Sequence, residues 1–228
     1  MGKALGIPLP SLRRLPLYYR HVRRVLDRGQ EVISSGELGA ACAVPAAQVR
    51  KDLRYVREYG RPGIGYNAHS LARRLEEFLG LVNDKEAVLA GAGNLGRALA
   101  NYPGFARYGL RIVALFDRDP AKIGQKVGDT EVLPIWKLVD LARRLHIQMG
   151  IIAVPAEEAQ SVADQMIAGG IKVIWNFSPI TLNVPGDVYV KNQDLAAELA
   201  TLSHWIARRR REEVDGESRR EPAKESER

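Results

Sequence analysis

Apolar residues in the first third of the chain recur at helical spacing in three successive stretches. The first stretch predicts a helix over residues 15–28. A short apolar run at 32–34 predicts a strand, and Ser35 is placed to cap a second helix. A third helix is predicted from Pro45 to Tyr59, because proline is tolerated in the first turn of a helix. The inward positions of the three helices are Tyr18, Val22, Val25, Leu38, Ala41, Val49, Leu53 and Val56.

A basic face lies beside the apolar face of the third predicted helix. Arg50, Arg54 and Arg57 repeat the apolar spacing one residue later, about 100° around the helix, and Lys51 widens the face. Two helices joined by a tight turn have the spacing of a helix-turn-helix, whose second helix enters the major groove of DNA. The competing interpretation is an exposed helix of an ordinary helical bundle.

A turn and a returning segment follow this helix. The sequence Arg61-Pro62-Gly63 has proline and glycine at the two central positions of a type II turn. Ile64 and Tyr66 are predicted to form the returning strand of a hairpin with a basic tip, the wing of a winged helix. A connecting helix is then predicted over residues 68–80, with a domain boundary near its end. Its inward positions are Leu71, Leu75, Phe78 and Leu79.

Positive charge is concentrated in the same third of the chain. Residues 1–80 hold 14 Lys and Arg against 7 Asp and Glu, whereas the remainder holds 20 of each, so the whole net charge of +7 lies in the first module. Such asymmetry predicts that this module binds a polyanion such as double-stranded DNA, against the alternative of a solvated basic face. RNA is disfavoured because no aromatic stacking sheet is predicted.

Strands and helices alternate beyond residue 80. A strand at 87–90 leads into Gly91-Ala92-Gly93-Asn94-Leu95-Gly96, a GxGxxG motif, and a second strand at 110–117 ends in Asp117, 21 residues after Gly96. The glycines permit a tight turn and the close approach of a pyrophosphate, and the acid accepts hydrogen bonds from the adenosine ribose. The motif predicts NAD(H) rather than NADP(H), with Arg118 as a weak contrary signal.

The remaining pattern predicts an α/β fold, a doubly wound, mostly parallel Rossmann-like sheet over residues 81–192. Further strands are predicted at 131–135, 149–155, 171–177 and 187–192, and further helices at 136–146 and 157–168. A last apolar stripe predicts a helix over 194–208, which either covers this sheet or docks on another subunit. The charged residues 209–228 are predicted to be disordered.

The composition excludes several other classes of protein. Cys42 is the only cysteine, so no intrachain disulfide can form and a reducing compartment is predicted. The four histidines show no metal-ligand spacing, so no metal site is predicted. No apolar run approaches the ~20 residues of a membrane span, and the first 14 residues lack the apolar core of a signal peptide. Together these features predict a cytoplasmic protein.

Several blocks of the sequence form a pattern that extends through both predicted modules. They include RLPLYYR (14–20), QVRKDL (48–53), GIGY (63–66), GAGNLGRAL (91–99) and AGGIKVIWNFSP (168–179). In these blocks the chain resembles the bacterial redox-sensing transcriptional repressors called Rex, over about residues 8–206. It departs from the family pattern at two places on the DNA-reading surface. The family usually has Ser-Tyr-Phe-Gly where this chain has residues 54–57, and a basic residue and Arg where it has Arg61-Pro62.

The resemblance implies a homodimer that binds a near-palindromic operator, is released by NADH, and swaps a dimerisation helix, residues 193–208, between subunits. It also suggests that Tyr102 and Asp194 form a polar pair across subunits, with Arg14 as an alternative partner in one state. A simpler role for Asp194 is to cap its helix. The candidate DNA contacts are Gln48, Arg50, Lys51, Arg54, Arg57 and Arg61.

A cofactor pocket that distinguishes NADH from NAD+ needs apolar walls, because a buried unpaired cation is costly. Tyr102, Phe105 and Phe177 are placed to supply them. Two alternatives remain open. An NAD-dependent oxidoreductase would need a substrate domain and an acid–base group near the nicotinamide. A DNA-binding regulator that senses coenzyme A would bring a ribose 3′-phosphate against Asp117.

Overall fold

The computed structural model describes residues 6–218 and divides between Asp84 and Lys85 into two compact units. Four helices and a two-stranded antiparallel sheet make up the first unit, and they confirm the predicted winged helix. The first helix begins earlier than predicted because its N-terminus contains prolines, whose missing N–H is harmless there. The helices are α1 (Leu9–Asp27), α2 (Ser35–Cys42), α3 (Ala46–Leu53) and α4 (Ala68–Leu79), and the strands are β1 (Val32–Ile33) and β2 (Tyr66–Asn67).

Helix α3 is shorter than predicted, since it ends at Leu53 rather than Tyr59. The next residues form a tighter turn, which is closed by bonds from Arg57 N–H to Arg54 O (3.0 Å) and from Glu58 N–H to Leu53 O (3.1 Å). This pair of bonds is the Schellman motif, which requires one residue in the left-handed conformation. Arg57 is that residue, with φ 56°. Arg57 therefore leaves the basic face on which the sequence places it, although Val56 stays buried.

The cap of α2 also differs from the prediction by one residue. Ser34, not Ser35, accepts the hydrogen bond from Glu37 N–H (3.0 Å), and the Glu37 carboxylate accepts one from Ser34 N–H (2.7 Å). This reciprocal pair is a capping box, which needs the capping serine in an extended conformation. Leu38 of this helix is buried as predicted, whereas Ala41 is exposed.

The wing is a tight loop rather than a hairpin with two strands. Arg61 and Gly65 exchange backbone hydrogen bonds of 2.7 and 2.9 Å, and Ile64 N–H donates to Arg61 O (3.1 Å). Gly63 has φ 74°, which confirms the predicted type II turn. Only Tyr66 and Asn67 form a returning strand, and they pair with β1, so Ile64 stays exposed at the tip.

Connecting helix α4 matches its prediction closely. It ends where Gly80 adopts the left-handed conformation, with φ 67°. Leu71 and Leu75 are fully buried, but Phe78 is exposed. The buried stripe runs through Ala68 and Ala72 to the half-buried Leu79, which leaves Phe78 one position off it.

A seven-stranded sheet forms the second unit and confirms the doubly wound Rossmann-like fold. Its strand order is β5-β6-β4-β3-β7-β8-β9, and every pairing is parallel except that of β5 with β6. Helix α5 packs on one face, and α6 and α7 pack on the other. The strands are β3 (Lys85–Ala90), β4 (Leu110–Asp117), β5 (Lys126–Val127), β6 (Thr130–Pro134), β7 (Met149–Ile152), β8 (Val173–Asn176) and β9 (Tyr189–Asn192). The helices are α5 (Asn94–Ala100), α6 (Leu138–Arg144), α7 (Ala156–Ala168) and α8 (Leu195–Ser218).

Helix α8 does not cover the sheet of its own chain. Its apolar stripe is exposed, with Leu199 at 62% and Leu202 at 60% of full exposure. The helix also continues to Ser218, so the predicted disorder is wrong for residues 209–218. The rest of the predicted disordered tail, residues 219–228, lies outside the described residues.

Candidate functional site

The first unit gathers three predicted DNA-binding arginines around one cavity of about 500 Å³. Arg50 extends from α3 and donates to the Ser35 hydroxyl at the start of α2 (3.0 Å). Arg54 follows α3, and Arg61 lies at the base of the wing. Their charges therefore converge on one surface between helix and loop. Lys51 is exposed on α3, whereas Arg57 and Gln48 do not line this cavity.

Gln48 belongs instead to a buried network centred on Asp52, which has no exposed surface. Arg14 binds both oxygens of this carboxylate, through Nε to Oδ2 (2.6 Å) and Nη2 to Oδ1 (2.8 Å). Tyr18 donates to Oδ2 (2.8 Å), and Gln48 Nε2 donates to Oδ1 (2.8 Å). Burial alone would raise the pKa of Asp52, but hydrogen bonds from Arg14, Tyr18 and Gln48 outweigh it and lower that pKa. The network ties α1 to α3.

The glycine loop of the second unit has the geometry of a phosphate cradle. A Cβ at Gly91 would lie 2.3 Å from Ala153 O, and one at Gly96 would lie 1.7 Å from Gly91 O, so both positions require glycine. A Cβ at Gly93 would meet no atom within 4 Å and would instead point into open space. Gly93 also lines the cavity described next, so its missing side chain leaves room for a close ligand.

A cavity of about 730 Å³ opens where β4 and β7 leave opposite sides of β3. Such a point, at the carboxyl ends of the strands, is where open α/β sheets bind ligands. The glycine loop forms one wall, and the residues after β4 and β7 form the others. The lining includes Gly91, Gly93, Asn94, Leu95, Asp117, Arg118, Lys122, Val154 and Glu158.

Asp117 lines this cavity and is held by three donors. Oδ2 accepts hydrogen bonds from Ala92 N–H (2.7 Å) and the Lys122 ammonium (3.2 Å), and Oδ1 accepts one from Asp119 N–H (2.9 Å). Burial disfavours the charged form, but these hydrogen bonds outweigh it, so the pKa of Asp117 is lowered. Asp117 is therefore an anion at neutral pH. Arg118, the weak sequence signal against a preference for NAD(H), forms an ion pair with Glu158 (2.9 Å).

The predicted nicotinamide wall forms an aromatic row outside the lining of that cavity. Tyr102 and Phe105 lie edge to face with centroids 5.1 Å apart, Phe105 lies 5.8 Å from Trp175, and Trp175 lies 4.8 Å from Phe177. The three predicted residues thus come together through a fourth, Trp175. Its buried Nε1 has no hydrogen-bond partner among the described residues.

The candidate switch residues have other partners in this single chain. Asp194 caps α8, since its Oδ1 accepts from Ala196 N–H (2.9 Å) and Ala197 N–H (3.0 Å). Arg14 is bound to Asp52. Tyr102 is more than half exposed and contacts Phe105. The pairing across subunits therefore stays a prediction.

Three residues of these sites are not predicted from the sequence: Asp52, Lys122 and Trp175. Asp52 falls between two buried positions of α3, Val49 and Leu53, and a carboxylate there signals a buried partner. Lys122 and Trp175 carry no such signal, because their roles arise from contacts between separate segments.

Among residues 6–218, no group of three or more His, Cys, Asp or Glu side chains is placed to hold a metal ion. The same part of the chain has no helix that is long and apolar enough to cross a membrane.

Two family models match the chain. The model described as a putative DNA-binding protein N-terminus matches residues 6–53, and the model described as a CoA binding domain matches residues 82–180. The redox-sensing transcriptional repressor Rex of Desulfitobacterium hafniense is 44% identical over 91% of this chain and 99% of its own length. The redox-sensing transcriptional repressor Rex of Chloroflexus aurantiacus is 46% identical over 86% of this chain and 93% of its own length.

Solved structures of the Rex-family repressor RSP are also similar. RSP in complex with beta-NAD+ and operator DNA is 38% identical, with a TM-score of 0.84 over 95% of this chain and 99% of that one. RSP in complex with beta-NADH is 36% identical, with a TM-score of 0.81 over 91% of this chain and 98% of that one. These relatives are named as repressors and not as enzymes, which decides against the oxidoreductase alternative. The chain belongs to the Rex family of redox-sensing transcriptional repressors.

Proposed function

We propose that this protein binds operator DNA through its first unit and releases it when NADH binds to its second unit. The observation that carries the proposal is the joining, in one chain, of a basic winged helix to a Rossmann-like unit whose glycine loop and Asp117 line one cavity. The similar repressor RSP is described in complex with operator DNA and NAD+, and separately with NADH. A repressor of this kind acts on DNA in the cytoplasm.

The first unit meets DNA through the arginines around its cavity. Arg50, Arg54 and Arg61 converge there, Lys51 is exposed next to Arg50 on α3, and Arg57 is a further proposed contact outside the cavity. Each cation that neutralises a phosphate contributes about 0.9 to the slope of log affinity against log salt. Arg50→Ala should lower that slope by about this amount, while the exposed Arg107→Ala of the second unit leaves it unchanged. Equal slopes for Arg50→Ala and the wild type would show that Arg50 does not neutralise a phosphate.

The second unit holds the dinucleotide at the glycine loop, with Asp117 on the adenosine ribose. The aromatic row of Tyr102, Phe105, Trp175 and Phe177 supplies apolar walls for the reduced nicotinamide. An oxidised nicotinamide carries a positive charge, and apolar walls penalise an unpaired cation. NADH therefore binds more tightly than NAD+.

The protein acts as a homodimer through α8. The exposed stripe of Leu195, Leu199, Leu202 and Ile206 supports this, because large apolar side chains in a row at 57% exposure or more favour burial against a partner. The family resemblance adds that α8 is swapped and that Tyr102, Asp194 and Arg14 exchange partners between states. Leu202→Asp should yield a monomer in analytical ultracentrifugation, whereas Ser203→Asp on the same helix turn should leave a dimer.

Linkage provides the decisive test of the proposed function. If NADH releases the protein from DNA, then saturating operator DNA must weaken NADH binding by the same factor. A complete reversal from bound to released needs a difference of ~5.5 kcal/mol. The measurement is NADH titration with and without operator DNA, for the wild type and Tyr102→Phe. Equal NADH affinities in the wild type would contradict the proposed switch, and unaltered coupling in Tyr102→Phe would remove the tyrosine from it.

A second candidate ligand is coenzyme A, which the family match over residues 82–180 favours. Coenzyme A and NADH share the adenosine and the pyrophosphate, but coenzyme A brings a 3′-phosphate to the ribose held by Asp117. The buried anion should repel it. Calorimetric titration with both ligands separates the candidates, and tighter binding of coenzyme A than of NADH would replace the redox sensor with a coenzyme A sensor.

A further inference from the structure

Arg97 lies on α5 and binds the glycine loop without lining the cavity. Its Nε donates to Ala92 O (3.0 Å), and its Nη2 donates to the side-chain oxygen of Gln125 (2.5 Å). Arg97 is half-buried and is not among the residues that line the 730 Å³ cavity. Arg97 therefore acts on a ligand there through the residues that it binds.

The Ala92 backbone is held at both of its polar atoms. Ala92 N–H donates to Asp117 Oδ2 (2.7 Å), and Ala92 O accepts the bond from Arg97. Ala92 itself is buried. A peptide unit is planar and turns as one piece, so these two bonds fix the peptide planes on both sides of Ala92.

The second of these planes carries the N–H of Gly93. In a trans peptide the C=O and the next N–H point in opposite directions, so the Gly93 N–H points away from the Arg97 guanidinium. Gly93 lines the cavity, and within residues 6–218 its N–H has no hydrogen-bond acceptor. Backbone N–H groups of this kind are donors for phosphate oxygens.

Gln125 connects Arg97 to the segment that follows β4. Gln125 Nε2 donates to Ala121 O (2.7 Å), and Gln125 N–H donates to Lys122 O (3.1 Å). The donors of a guanidinium form a rigid planar fork. Arg97 therefore joins the glycine loop to a segment 28 residues further along the chain and limits the movement of both.

We propose that Arg97 is a positioning residue for the pyrophosphate of the dinucleotide: it fixes the Ala92–Gly93 peptide with the Gly93 N–H turned to the cavity before the ligand binds. This inference rests on the proposed function, because it concerns the dinucleotide at the same glycine loop. A donor that is already ordered adds affinity, since binding need not order it. Adenosine lies at Asp117, which Arg97 does not contact, so only ligands with the phosphates depend on Arg97.

Two variants of Arg97 separate geometry from charge. Arg97→Ala removes both hydrogen bonds, and Arg97→Lys keeps the cation but lacks the planar fork. The matched control is Arg143→Ala on α6, because Arg143 Nε likewise donates to a backbone oxygen, that of Ala168 (2.9 Å), and neither residue lines the cavity. Alanine and lysine are strong helix formers, so all three variants should fold, and circular dichroism verifies this.

The experiment measures the dissociation constants of NADH, ADP and adenosine for the full-length wild type and the three variants. NADH is titrated directly, and ADP and adenosine are measured by displacement of NADH. Arg97→Ala should weaken NADH and ADP about tenfold, the value of one hydrogen bond from a charged donor, and should leave adenosine unchanged. Arg97→Lys should weaken NADH and ADP about threefold, and Arg143→Ala should match the wild type.

Three outcomes would overturn the proposal. The first is an NADH affinity that Arg97→Ala leaves unchanged or that Arg143→Ala lowers equally. The second is an equal loss for adenosine and ADP in Arg97→Ala, which would mean that Arg97 supports the whole cavity. The third is full affinity in Arg97→Lys, which would mean that charge and not geometry acts on the pyrophosphate. Wild-type protein that does not bind NADH would overturn the proposed function together with this inference, whereas the three outcomes above leave the proposed function standing.

Discussion

Each unit of the protein contains a buried aspartate whose pKa is lowered, and the two aspartates differ in what holds them. In the first unit, Asp52 is bound by the side chains of Arg14, Tyr18 and Gln48, which come from α1 and α3. In the second unit, Asp117 is bound by two backbone N–H groups and by Lys122, and it faces a cavity. The first carboxylate is fully enclosed, whereas the second retains an accessible side.

Burial and a lowered pKa alone therefore do not identify a binding site. Both carboxylates have them, and both are anions at neutral pH. The difference lies in the donors and in the space around them. Side-chain donors from α1 and α3 make Asp52 a link between these helices, whereas two backbone N–H groups and Lys122 hold Asp117 and leave it facing a cavity. Two predictions test this distinction and two more test the first unit, from the largest expected effect to the smallest.

Asp52→Asn should destabilise the first unit by about 3 kcal/mol, because removal of one partner from a buried ion pair leaves the other uncompensated. All three tryptophans, at 136, 175 and 205, lie in the second unit. In urea unfolding, the far-ultraviolet circular dichroism transition should therefore shift while tryptophan fluorescence does not. Asp27→Asn, an exposed change on α1, is the control. A loss of less than about 0.5 kcal/mol in the free energy of unfolding of the first unit would mean that Asp52 does not link its helices.

Asp117→Asn should weaken ligand binding and leave the stability of the first unit unchanged. NADH affinity should fall by at most ~3 kcal/mol, because the ribose loses hydrogen bonds to a charged acceptor. Discrimination against NADPH should also fall, and the circular dichroism transition of the first unit should not move. Titration with both dinucleotides measures the effect, with the exposed Asp129→Asn as control. An unchanged NADH affinity would remove Asp117 from the site and end the functional contrast between the two aspartates.

Arg57→Gly should separate DNA binding from stability within the first unit. Its left-handed backbone costs a non-glycine residue about 1 kcal/mol, so glycine should raise the free energy of unfolding by up to that amount. The lost charge should still lower the salt slope of operator binding by about 0.9. Arg54→Gly is the control, because Arg54 is right-handed and glycine there should destabilise instead. Destabilisation by both variants would contradict the Schellman motif.

Mild acid should affect the first unit in a defined direction. Burial, together with Arg24 and Arg28, lowers the pKa of His21, so the unfolded chain binds more protons than the folded one just below pH ~6.5. Stability of the first unit should therefore fall as the pH drops through this window, and His21→Gln should abolish that slope. Asp52 contributes stability in a different pH range, because its pKa is lowered. That stability is fully present above pH ~3.9 and is lost only as the pH falls through the pKa that Asp52 has in the folded protein.

Local patterns in the sequence determined the order of the elements and the chemistry at the glycine loop. Strand 110–117 and helix α4 follow from apolar periodicity, and Asp117 follows from its distance after GxGxxG. These features depend on one βαβ segment or less, where side-chain period and glycine conformation act directly.

The tertiary structure decided the rest, because it depends on contacts between distant segments. Helical periodicity continues past Leu53, yet the chain turns there and places Arg57 in the left-handed region. Lys122 rather than the adjacent Arg118 reaches Asp117, since Glu158 on α7 binds the arginine. Asp52 pairs with a residue 38 positions away. Spacing along the chain cannot specify which of several cations a carboxylate meets, because that choice is made by the packing of the elements that carry them.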